Sequence, residues 1–111
     1  MSHPLSIKVY KASKSTPLSE VECFATLSTA DFYFGFPARE VLNLELLPKI
    51  EELEITGTQL TQLEEELARI QVFWKQRDLS DDDRYCLNEM IARLRGQVDL
   101  ARREKATLVI K

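Results

Sequence analysis

Three glycines in 111 residues leave this chain without the Gly-rich turns that cradle phosphates, and no dinucleotide fingerprint or phosphate loop occurs in it. Histidine is scarcer still. His3 is the single one, close to the amino end and followed by proline, a poor place to hold an imidazole against a nucleophile. The two cysteines, Cys23 and Cys86, stand far apart and belong to no paired-cysteine motif, so reduced and mostly buried thiols are expected rather than a disulfide or a zinc site. No run of apolar residues approaches the roughly 18 needed for a membrane span, and Met-Ser-His-Pro lacks the regions of a secretory signal. A cytoplasmic address is the expectation. Basic excess is also missing: the formal charge is -3 and the pI about 5.2, which argues against phosphate-directed binding of nucleic acid or of anionic membranes.

What is present is architectural. From Thr58 to Arg103 two amphipathic runs are broken once, at Arg77 to Asp81, and read as an antiparallel helical hairpin of about 58-77 and 81-104. Leu60, Leu63, Leu67, Ile70 and Trp74 recur at steps of three and four, with Phe73 beside them, and so line one helical stripe. Glu64, Glu65 and Glu66 precede Arg69, Lys75 and Arg77, the order that complements a helix dipole, and Glu65 is spaced to reach Arg69. Thr61-Gln62-Leu63-Glu64 has capping-box spacing, yet Thr58 is an equally good start, and Gly57 favours a break at residues 55 to 58 with a separate short helix over 48 to 54. The second run opens on Ser80 and three aspartates, Asp81 to Asp83, a hydroxyl cap followed by acids in the positive first turn. Reversal near Leu79 would set Glu64 to Glu66 opposite Arg93 and Arg95, giving the basic cluster an intramolecular use.

The first half is harder to read. Leu5, Ile7 and Val9 alternate with Ser6, Lys8 and Tyr10 as a half-buried strand does, and residues 106 to 111 suit a final strand beside it. Ser15 or Thr16 before Pro17 would begin a helix, whereas Val21, Cys23, Ala25 and Leu27 alternate as a strand; both patterns fit residues 17 to 28. Phe32, Phe34 and Phe36 alternate with Tyr33 and Gly35, which sends three rings to one face of an extended segment ending at Pro37, and Leu42, Leu44 and Leu46 alternate likewise.

The expectation is therefore one α+β domain spanning 1-111, a small sheet packed under the long hairpin. Catalytic, cofactor and metal assignments are none. Asp81 to Asp83 are better explained as capping than as a cation site, because consecutive helical residues point apart and no calcium-loop spacing follows. Acidity concentrates in residues 41 to 77, with seven acids to four bases. The leading function is a non-enzymatic protein-binding module, such as a small inhibitor or immunity-type protein for a basic partner or a self-associating homodimer, with Glu64, Glu65, Glu66, Phe73 and Trp74 as contact residues. A ligand pocket or enzymatic site on the Phe32, Phe34 and Phe36 face is the alternative.

Overall fold

The alternation at the amino end forms β1, Pro4–Tyr10, whose Leu5, Ile7 and Val9 are fully buried while Ser6, Lys8 and Tyr10 face the other way. The computed structural model describes residues 3–11 and 16–111, so a start at Ser15 lies outside the described residues. Over 17 to 28 the strand reading holds, as β2, Ser19–Thr26. It pairs antiparallel with β1, and between Leu5 and Ile7 on β1 the partner runs from Ala25 to Val21, so a bulge of two extra residues interrupts the ladder. The carboxyl-terminal strand β4, Thr107–Ile110, flanks β1 on its other side, and β3, Leu53–Ile55, completes an antiparallel sheet of order β2-β1-β4-β3.

Both outer strands carry features that discourage further pairing. β3 has three residues, while β2 is bulged and exposes Glu20 and Glu22.

Two long helices cover one face of the sheet. α3, Thr58–Lys75, buries Leu60, Leu63, Leu67 and Ile70, and α4, Asp81–Glu104, buries Leu87, Ile91, Leu94, Val98 and Ala101; with the inner faces of β1, β3 and β4 they make one apolar cluster. The Ser80 hydroxyl accepts from the Asp83 N–H at 3.1 Å, as its cap position requires. α4 ends at Lys105, a left-handed residue with φ 51°, and the Ala106 N–H returns to the Ala101 carbonyl at 2.8 Å. α3 begins at Thr58 without using the Thr61 capping box. Its entry is Gly57, at φ 59° and ψ -131°, a conformation that side chains with a Cβ avoid.

Between sheet and hairpin the structure departs from the periodicity of the sequence. Phe32 to Phe36 are helical rather than extended: an α turn Leu27–Ala30 (α1), a wide π turn Asp31–Gly35 and a second α turn Phe36–Glu40 (α2) run on without a gap. Alternate residues on a helix point to roughly opposite sides. Phe34 alone therefore enters the core, at 0% exposure, while Phe32 and Phe36, four apart, stand outside together at 56% and 51%. A Cβ at Gly35 would lie 2.7 Å from the Asp31 side-chain oxygen, which would have to swing aside. The short helix expected over 48 to 54 is only a 3-10 turn, Leu47–Lys49, followed by β3; Leu42, Leu44 and Leu46 form no strand, and Asn43 among them has φ 52°.

Candidate functional site

Glu66 explains why that irregular stretch is ordered. It is 5% exposed, and its carboxylate accepts backbone N–H groups from Glu45 at 3.4 Å, Leu46 at 3.1 Å and Leu47 at 2.9 Å, capping the 3-10 turn from a distant helix. Gln62 donates to it as well, at 3.2 Å. Glu66 is thus not the solvated acid its neighbours suggested. Glu64 is engaged by Arg102, and of the three only Glu65 is exposed without a bonded partner among the described residues.

The charge register across the hairpin also differs from a symmetric reversal. Arg102 meets Glu64 and Arg95 bonds Gln71 at 2.8 Å, each eight positions further along α4 than a turn centred on Leu79 would place it. Side chains lean toward the amino end of their own helix, which accounts for about two of those eight positions. Arg93 instead pairs within its helix, with Glu89 at 3.9 Å. Glu65 forms no ion pair with Arg69.

Trp74 is a second long-range clamp. Its indole N–H donates to the Tyr33 carbonyl at 2.8 Å, drawing the π turn onto the end of α3. Both Phe73 and Trp74 are buried, at 9% and 8%, although adjacent residues cannot share one helical face; the π turn covers what the sheet does not. Tyr33 and Phe32 lie 5.4 Å and 5.5 Å from the Trp74 ring, and Arg77 stacks over Phe73 at 3.5 Å while donating to the Phe73 carbonyl at 2.9 Å. Burial, then the nearby Asp83 carboxylate and Cys86, push the Tyr33 phenol above its ordinary range.

Beside these rings lie several exposed apolar side chains. Phe32 rests on Trp74, Phe36 follows one turn on, and Val41 and Val72 are 49% and 55% exposed. Val41 and Val72 flank an open groove of about 460 Å³ with Leu42, Ala68 and Phe73, bounded by Arg69 and Arg77. Phe73 lines the groove at 9% exposure, and Trp74, also named from sequence, is 8% exposed and does not line it. Val72, Val41, Arg69 and Arg77, which line this groove, were not singled out from sequence as contact candidates. Val72 carried a signal, being an apolar residue off the inward stripe of α3.

A smaller groove joins Cys23 of β2 to Cys86 and Tyr85 of α4. Both thiols are exposed rather than buried, because the β2 bulge turns Cys23 out and Cys86 precedes the inward Leu87 by one residue. The three-ring pocket does not exist, since Phe34 is separated from Phe32 and Phe36. Among the described residues no group of three or more His, Cys, Asp and Glu could hold a metal, and no helix is long and apolar enough to cross a membrane. No family matches the chain, and comparisons with curated proteins and with solved structures return no significant match.

Proposed function

We propose that the chain is a non-enzymatic protein-binding module whose contact surface is the apolar region around the end of α3. One observation carries the reading: Phe32, Val41 and Val72 are each about half exposed or more, Phe32 against Trp74 and the two valines around the groove that Phe73 lines, while Trp74 is held in place from within. Apolar side chains concentrated at one place and bordered by arginines resemble the composition of contact-patch centres. The anchors are already ordered, so binding would not have to freeze them.

The acidic partner-facing role expected for Glu64 to Glu66 narrows to Glu65, because the other two carboxylates have internal work. A photoreactive aliphatic residue in place of Val72 tests the reading in cells, with the same residue in place of exposed Ala92 on α4 as control. Discrete adducts to another polypeptide at 72 and not at 92 are the expected result. Equal labelling at both sites, or none at 72, removes the proposal.

A further inference from the structure

The occupant of the groove can be specified from its chemistry, on the premise that this surface binds protein. Ala68, Val72 and Gln76 form one row on α3, and Arg69, Phe73 and Arg77 form the next. Those backbone groups belong to the helix ladder, and across the groove the Val41 and Leu42 N–H groups both go to the Pro37 carbonyl, at 3.0 Å and 2.9 Å. No backbone edge is therefore offered to an extended segment. A partner must bring a surface whose own backbone is satisfied, and a helix laid along the α3 ridges meets that condition.

Charge then selects which helix. None of the side chains lining the groove is acidic, in a chain whose net charge is -3. Among the described residues Arg69 has no hydrogen bond or ion pair, whereas Arg77 is fixed over Phe73. The Arg77 guanidinium lies over residue 73, four residues from Arg69 and about 6 Å along the helix. The exposed acids on α3 and just after it, Glu65 and Asp78, do not line the groove. We infer that the groove between Val41 and Val72 takes an acidic amphipathic helix, its apolar stripe on those two valines and carboxylates three or four residues apart on Arg69 and on the Arg77 guanidinium over Phe73.

A second copy of this chain fits poorly. The Arg77 guanidinium lies over Phe73, so a two-fold pairing of α3 with α3 centred on that residue brings the Arg77 charges of the two copies together. Like charges facing each other oppose that assembly.

The test is selection from a display library of helix-forming 16-residue peptides, with charge and apolar positions randomised, against the whole chain. Enrichment of paired Glu or Asp flanking an apolar stripe is expected, with affinity falling about tenfold on Arg69→Glu and weakening as salt rises. Arg69→Glu is the informative variant because no intramolecular bond is lost. Selection of basic or uncharged peptides, or binding indifferent to Arg69→Glu, overturns the inference. If such peptides are still abolished by Val72→Asp, the protein-binding reading survives without it; if no selected peptide responds to Val72→Asp, both fall. A dimer that Val72→Asp dissolves would also overturn it, in favour of a second copy.

Discussion

The hairpin of α3 and α4 and the connector over residues 27 to 55 are held in place by different means. In the hairpin the cap, the charge order and the apolar spacing lie within a few residues of what they stabilise: Ser80 serves Asp83, and Lys105 closes the carboxyl end of α4. In the connector the decisive bonds span 19 to 21 residues from Glu66 and 41 from Trp74. A locally specified element can be read, and altered, one turn at a time. An element held by a remote side chain fails when that side chain is lost.

The largest effect tests that difference directly. Glu66→Ala strands several buried N–H groups and should cost about 4 kcal/mol in urea unfolding, with the Leu46 and Leu47 amides losing hydrogen-exchange protection before the α4 amides do. Glu65→Ala, one residue away and exposed, should stay within about 0.5 kcal/mol. Equal costs for the two would erase the distinction between the regions.

Trp74→Phe keeps a ring but removes the donor to Tyr33, and about 2 kcal/mol should be lost. The loss should come with faster exchange in the π turn. Ser80→Ala acts within the hairpin, and calorimetry should register about 1 kcal/mol with the connector amides unaffected. Lys105→Gly should go the other way. Relief of a left-handed conformation costing about 1 to 2 kcal/mol, less the entropy of an added glycine, leaves a gain of about 0.5 kcal/mol, visible as a small rise in Tm.

The smallest effect is a slope in pH. Because the Tyr33 phenol is raised by burial first and by Asp83 next, the folded state keeps its proton to higher pH than the unfolded chain. Its contribution is full below about pH 10 and is lost as pH climbs through the folded value. Alkaline unfolding curves for Tyr33→Phe should be flatter above that point than those of the unaltered chain; superimposable curves would show that the connector does not hold this phenol protonated.

The legible parts of the sequence were those whose signal is short-ranged. Alternation in Leu5, Ile7 and Val9 identified β1, steps of three and four identified α3 and α4, and Gly57 and Ser80 marked where each helix begins. The same reasoning misread Phe32 to Phe36, because period-two spacing of aromatics describes composition as well as extension, and the π turn that overrides it depends on the Trp74 indole across the fold. It also grouped Glu64, Glu65 and Glu66 as equivalents. Of the contact candidates named from sequence, Phe73 lines the groove and Trp74 is buried against Phe32, while the exposed Val41, Phe32 and Phe36 come from a segment whose position no local pattern reveals.

By itself, then, the sequence determined two helices, their caps and the strands at either end, since those follow from backbone sterics and from apolar spacing over a turn or a pleat. Tertiary structure alone decided which of three adjacent glutamates would be internal, which phenylalanines would remain outside, and that Arg69 and Arg77 would bracket an apolar groove. Those outcomes depend on where a buried N–H must find an acceptor and on which surface remains after the core is filled, and both are properties of the assembled chain.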